Sequence, residues 1–157
     1  MKIIEGYSYH IKDKFFNDIA DKYLMKNKEN GNYRPHYYAI KDMKDPSILW
    51  MIPISSKVKK YEKIIKNKKG KYGKCNTIVI GIFAGNKSVF LLQNAFPILP
   101  KYLDHIHTVQ GKEIQVHKLL KRELEVNLKT LIALKNRKIN LFFSNIDEIY
   151  KFIKNKY

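Results

Sequence analysis

The chain has 157 residues, 31 Lys and Arg against 14 Asp and Glu, a formal net charge of +17 and a hydrophobic share of 45 %. That length and apolar content fit a single domain with a filled core, while the longest apolar runs, Ile48 to Ile54 and Ile78 to Ala84, fall far short of the ~20 residues needed to cross a bilayer. Met1 to Tyr9 lacks the apolar core of a secretion signal, and the single cysteine, Cys75, allows no intramolecular disulfide, so a reducing cytoplasm is the expected compartment.

In chain order, Lys2 to Tyr9 predicts a first strand, and Asp13 to Met25 a helix, with Phe15, Phe16, Ile19, Ala20, Tyr23 and Leu24 at helical spacing. A polar loop follows, with a turn at Asn30-Gly31. Pro35 to Ile40 and Ile48 to Ile54 read as strands, after which a basic helix runs to about Lys66 and is broken into a loop by Gly70 and Gly73. Thr77 to Phe83 and Ser88 to Leu92 predict a hairpin through Gly85-Asn86. A strand near Ile106 to Val109 precedes a long helix over Val116 to Arg137, with Val116, Leu120, Leu124, Leu128 and Leu131 as its buried stripe. Ser144 or Asn145 caps a last helix over Ile146 to Ile153.

The junction between the third strand and the basic helix carries the chemistry. An apolar strand ends at two hydroxyls, Ser55 and Ser56, and passes directly into Lys57, Lys59, Lys60 and Tyr61. Groups at a strand end are well oriented, and the lysines supply the field a phosphodiester requires. Residues 57 to 74 hold nine lysines and one acid, Glu62, so nearly half of the net charge lies in one short segment. Clustered like charge is tolerated where a polyanion neutralises it. Lys66, Lys68, Lys69, Lys71 and Lys74 are therefore candidate RNA contacts, and Tyr61 and Tyr72 are candidate stacking platforms for unpaired bases. The bland alternatives are a serine cap on a solvated helix, and Tyr61 packed beneath that helix.

An early tyrosine-bearing strand and helix, Arg34-Pro35-His36-Tyr37-Tyr38, Pro53-Ile54-Ser55-Ser56-Lys57 and Phe90-Leu91-Leu92-Gln93-Asn94-Ala95-Phe96-Pro97-Ile98 together resemble the ribonuclease toxins of type III toxin–antitoxin systems, and among them the CptN type of the ToxN/AbiQ group. The resemblance spans nearly the whole chain, and its specific parts are the Pro-Ile-Ser-Ser-Lys and Gln-Asn-Ala-Phe-Pro stretches. It implies an α+β fold: one compact domain with a strongly bent antiparallel sheet flanked by helices, related to MazF/Kid toxins. It also implies a metal-independent, cofactor-free endoribonuclease that is inhibited by a small pseudoknotted antitoxin RNA, which the toxin cuts from a tandem-repeat transcript. Protein and RNA then close into a hetero-oligomer, with two toxins and two RNAs as the working stoichiometry.

Ser55 and Ser56 match the family's hydroxyl pair at the strand end. The family's catalytic cation falls on Lys57 or Lys59, because the residues after the serines depart from the ToxN pattern. His36 stands where ToxN has lysine, and an imidazole with a reference pKa of ~6.5 suits proton transfer at neutral pH. The implied reaction is attack of the ribose 2′-hydroxyl on its own 3′-phosphate, leaving a 2′,3′-cyclic phosphate. Arg34 is expected nearby, and Tyr38 and Lys41 are candidates for lining the same site, although strand alternation puts Tyr38 on the face of His36 and Lys41 on the other. Without the resemblance, His36 reads as a strand histidine satisfied by a backbone carbonyl.

His105 and His107 share a strand face as metal ligands would, yet no third ligand stands near them in sequence, so no metal is expected. The sequence has no Walker-type loop and no Gly-x-Ser-x-Gly elbow, and Glu123 and Glu125 lie two apart on a helix and so face different ways. Besides the endoribonuclease, composition allows a non-catalytic RNA-binding module. A peripheral membrane protein ranks last, since the lysine segment offers only Val58, Tyr61, Ile64 and Ile65 as an apolar face.

Overall fold

The computed structural model describes residues 1–155. Its elements in order are β1 (Ser8–Ile11), α1 (Asp13–Ile19), β2 (Lys28–Glu29), β3 (Asn32–Tyr33), β4 (His36–Lys41), β5 (Leu49–Ser55), α2 (Val58–Tyr72), β6 (Ile78–Phe83), β7 (Asn86–Leu91), β8 (Phe96–Ile98), β9 (Leu103–Ile106), β10 (Thr108–Val109), β11 (Lys112–Glu113), α3 (Lys118–Asn136) and α4 (Ile146–Lys154). The main sheet runs β6-β7-β5-β4-β1-β9, antiparallel throughout, and β8 pairs with the first half of β5.

β5 organises this sheet. Along one edge it pairs with β4, and along the other its residues 49–51 pair with β8 and its residues 54–55 with β7. All seven of its residues are buried, which is why it reads as a continuous apolar run rather than an alternating one. Around it Tyr9, Tyr37, Trp50, Met51, Ile52, Phe90 and Phe96 form the heart of the core. α3 lies against β4, α4 against β8, and α2 against β6 and β7. Gly81 of β6 permits the close approach of α3: a Cβ there would sit 2.6 Å from a methyl of Leu120.

Several predicted boundaries move for identifiable reasons. The first strand starts at Ser8 rather than Lys2, because Gly6 adopts φ +94° and turns the chain, its N–H bonding to the Tyr38 carbonyl. The first helix stops at Ile19: Ala20 takes a left-handed φ of 51°, and Asp21 then accepts the N–H of Tyr23 in a local turn. The basic helix does not break at Gly70 but continues to Tyr72, where Gly73 at φ +78° caps it by bonding the Lys69 carbonyl. Val116 is buried but precedes α3, whose N-cap is His117, its Nδ1 accepting the N–H of Leu119. The hairpin turn lies one residue earlier than expected, on Ala84 and Gly85, both with positive φ. The strand near Ile106 divides into β9 and the small β10–β11 hairpin, and β8 was not anticipated. Asn145 caps α4 as expected, its side chain accepting from the Glu148 N–H.

Candidate active site

The end of β5 and the β2–β3 hairpin meet at a cleft of about 250 Å³, and α2 starts at Val58, two residues beyond Ser56. Ser55 is 2 % exposed; its hydroxyl accepts the Lys57 N–H at 3.2 Å and donates to Glu29 Oε1 at 3.3 Å. Ser56, in the open, reaches the same Glu29 oxygen at 3.5 Å. Neither serine caps α2, whose N-cap is Lys57 with no side-chain cap at all. Capping therefore does not account for the two hydroxyls.

Arg34 is only 5 % exposed and its fork is committed: Nη1 donates to Glu29 Oε2 at 2.8 Å and to the Ile54 carbonyl at 2.9 Å, and Nε to the Lys26 carbonyl at 3.1 Å. It ties the hairpin to the end of β5 while lining the cleft. Lys57, Lys59 and Lys60 stand exposed at the first turn of α2, which contains no acid. Two hydroxyls and the Glu29–Arg34 ion pair thus line one space, and an uncapped, lysine-rich helix start follows directly in the chain.

His36 is a correction. It has no exposed surface, its ring is walled in by Phe16 and Phe96 at centroid distances of 5.9 and 5.6 Å, and its Nδ1 sits 3.2 Å from the Arg34 carbonyl. Burial, reinforced by the Arg34 charge, pushes its pKa from 6.5 down to about 3. The ring is a neutral core side chain beneath the cleft, unable to meet an RNA phosphate from there.

Tyr38 and Lys41 are also misplaced by the sequence reading. Tyr38 is 1 % exposed, and β4 runs antiparallel to β5 with His36 opposite Pro53 and Lys41 opposite Leu49, so Lys41 stands at the far end from Ser55. A bulge between Tyr38 and Ile40 defeats simple alternation, and the two residues line one separate cleft on that remote side.

Along α2 the stripe Tyr61, Ile64, Ile65 and Lys68 faces the sheet at helical spacing. Tyr61 is packed rather than available for stacking. Lys68 is drawn inward with it, donating to Thr77 Oγ1 at 3.1 Å and Gln93 Oε1 at 3.2 Å, so it anchors the helix. Lys66, Lys69, Lys71 and Lys74 are exposed as expected, and Tyr72 is 65 % exposed with the Lys71 ammonium over its ring. Lys66 and Lys69 border a groove of about 700 Å³ between α2 and α3. The 15 residues of α2 span ~22 Å, so these groups extend well beyond the cleft.

His107, like His105, lies against the ring of His10, at centroid distances of 4.9 and 4.6 Å. The His107 Nδ1 lies 2.8 Å from Nε2 of His10, and burial followed by the neighbouring histidines holds His10 at a pKa of about 4. Among the described residues no group of three His, Cys, Asp or Glu is arranged to hold a metal ion, and no helix is long and apolar enough to cross a membrane.

Glu29 and Tyr33, both on the β2–β3 hairpin, are among the cleft residues that escaped the sequence reading. The Asn30-Gly31 turn was the available signal, since a two-residue turn with both residues at positive φ sets Glu29 opposite Asn32.

No protein-family description and no curated protein matches this sequence. Solved structures do. ToxN, from a bacterial antiviral system that a processed non-coding RNA regulates, superposes with a TM-score of 0.68 at 12 % identity, covering 95 % of this chain and 98 % of that one. AbiQ, a lactococcal anti-phage endoribonuclease belonging to the type III toxin–antitoxin system, also gives 0.68, at 13 % identity over 96 % and 94 % of the two chains. Over nearly its entire length the chain therefore has the ToxN/AbiQ fold, a mixed α+β arrangement with an antiparallel sheet and four helices among the described residues.

Proposed function

We propose that the protein is the endoribonuclease toxin of a type III toxin–antitoxin system. The observation that carries this reading is the cleft itself: on the fold of an anti-phage endoribonuclease, Ser55, Ser56 and the first lysines of α2 are gathered where β5 ends, and they have no capping duty to explain them. Ser55 and Ser56 orient the scissile phosphate, and Lys57 or Lys59 stabilises charge growing on its non-bridging oxygens. The 2′-hydroxyl attacks phosphorus, the bond to the 5′-oxygen breaks and a 2′,3′-cyclic phosphate remains. No metal takes part. The exposed lysines of α2 hold the RNA on either side of the cut, with Tyr72 as a platform for an unpaired base.

The inhibitor and first substrate is a small pseudoknotted RNA released from a tandem-repeat transcript, and toxin and RNA assemble in the cytoplasm as a closed complex of two toxins and two RNAs. Cellular RNA is the target of the free toxin. Cleavage of the repeat transcript by purified protein in excess chelator tests the chemistry. The expected result is undiminished cutting, with the 5′ fragment ending in a cyclic phosphate. Loss of activity restored by zinc or magnesium overturns the metal-free mechanism, and tight RNA binding without cleavage replaces the enzyme with a non-catalytic RNA-binding module.

A further inference from the structure

The transesterification just proposed needs a group to take the 2′ proton, and the sealed His36 leaves that position unfilled. Lys57 and Lys59 serve as donors in that reaction and do not fill it. Among the described residues that line the cleft, Glu29 is the one bearing a carboxylate or an imidazole. Its surroundings are those of a group held in readiness. One carboxylate oxygen, Oε2, is fixed by Arg34 Nη1 at 2.8 Å, while the other, Oε1, faces the hydroxyls of Ser55 and Ser56 at 3.3 and 3.5 Å. The side chain is 13 % exposed, shielded but open to the cleft.

The backbone that carries it is tightly specified. The turn at Asn30 and Gly31 fixes the hairpin, the Arg34 N–H bonds the Asn27 carbonyl at 2.6 Å, and the buried Asn27 amide bonds the Ile11 carbonyl at 2.8 Å. On the other side Tyr33 donates to Asp13 at 2.7 Å. Arg34 takes Oε2, and Oε1, the oxygen that accepts from the two serines, is the one turned to the groups proposed to hold the phosphate. The contacts to those serines are long for hydroxyl–carboxylate bonds, as expected of hydroxyls that re-aim when a phosphate enters.

We infer that Glu29 is the general base of this site, accepting the 2′-hydroxyl proton of the nucleotide whose 3′-phosphate Ser55 and Ser56 hold, an assignment that rests on the endoribonuclease reading. As the O2′–phosphorus bond forms and the phosphorus–O5′ bond breaks, the proton passes to the Glu29 carboxylate, the leaving 5′-oxygen takes one from the ammonium of Lys57 or Lys59, and both groups return to their resting states by exchange with water. Arg34 is a positioning residue here: its fork holds the carboxylate in line.

The test compares wild type with Glu29→Gln and Glu29→Asp on a short RNA substrate, measuring cleavage rate, RNA affinity and melting temperature across pH. Glu29→Gln keeps the size and the contact with Arg34 but cannot take a proton, so kcat should fall about a hundredfold or more with RNA affinity unchanged, and the acid limb of the wild-type pH–rate profile should disappear. Glu29→Asp, which keeps the charge opposite Arg34, should lose at least about tenfold in rate and retain that limb, which holds the test open if the glutamine variant folds poorly. Wild-type cleavage with an unchanged acid limb in Glu29→Gln overturns the assignment, and so do faster cleavage and tighter RNA binding, which would make the carboxylate an occupant of the phosphate site instead. If Ser56→Ala is inactive while Glu29→Gln is fully active, the base alone is wrong; if wild type itself cuts no RNA, the endoribonuclease reading falls and the base with it.

Discussion

The burial of His36 has a consequence that can be measured without any substrate. In the folded protein the ring is neutral down to a pKa of about 3, whereas in the unfolded chain it titrates at the ordinary 6.5. Above pH 6.5 neither state is protonated and the stability is whole. Below it the unfolded state binds a proton that the folded state refuses, and stability is lost progressively as pH falls towards the folded value. The slope for one such group is about 1.4 kcal/mol per pH unit, so moving from neutrality to pH 4.5 costs on the order of 2–3 kcal/mol from this histidine alone. Against a typical total of about 5–15 kcal/mol that is a large share, equivalent to roughly 5–10 °C in melting temperature for a chain of this size.

His36→Gln removes the titration while keeping a polar side chain beside the Arg34 carbonyl. Melting curves of both proteins between pH 7.5 and 4.5 should therefore converge, the wild type falling more steeply; effects of His10, His107 and the carboxylates are common to both and cancel in the difference. Cleavage by the variant should stay within about tenfold of wild type, since the ring itself does not line the cleft. Parallel melting curves would show that His36 takes up a proton in the folded protein, and the account of a sealed, neutral core ring would be refuted.

Two further outcomes concern the proposed site and its RNA surface. Ser56→Ala should cut RNA about a hundredfold more slowly, the typical cost of one transition-state donor, while binding it normally, and a wild-type rate in the folded variant would remove Ser56 from the chemistry. Reversing the exposed Lys66, Lys69, Lys71 and Lys74 to Glu should flatten the log–log salt dependence of RNA binding by ~0.7 for each phosphate that is no longer neutralised, whereas Lys68→Glu should lower the melting temperature by breaking its bonds to Thr77 and Gln93; an unchanged salt slope in the first variant would place the RNA elsewhere.

What could be read from sequence was local. The passage from an apolar run into two serines and a lysine-rich helix is contiguous, and the structure keeps it contiguous as β5, Ser55, Ser56 and α2. Asn30-Gly31 announced its turn in the same way. What could not be read depended on distant pieces of chain meeting. His36 is sealed by Phe16 and Phe96, which lie 20 and 60 positions away in opposite directions. Tyr38 and Lys41 were misjudged because the antiparallel pairing of β4 with β5 carries the chain away from Ser55, and a bulge, invisible in a pattern of period two, then turns both to one remote cleft. Lys68 is a different case: Tyr61, Ile64 and Ile65 already mark the inward stripe on which it falls, and counting it with the RNA-facing charges ignored helical geometry.

Glu29 shows most clearly how the fold converts sequence into a site. It lies 26 positions from Ser55, in a segment whose only signal was its turn, and in a chain this basic an acid is easily dismissed as charge balance. The contact exists because β4 brings Arg34 to the end of β5, where the guanidinium bonds the Ile54 carbonyl and leaves the same Nη1 reaching for a carboxylate. A buried guanidinium without a counter-charge would be strongly destabilising, so the hairpin must return with an acid to that point, and the serines are already there. The physical requirement of neutralising Arg34 and the chemical requirement of a base beside a bound phosphate are thus met by one side chain. Substituting it therefore perturbs both, which is why its rate, its pH profile and its melting temperature have to be measured together.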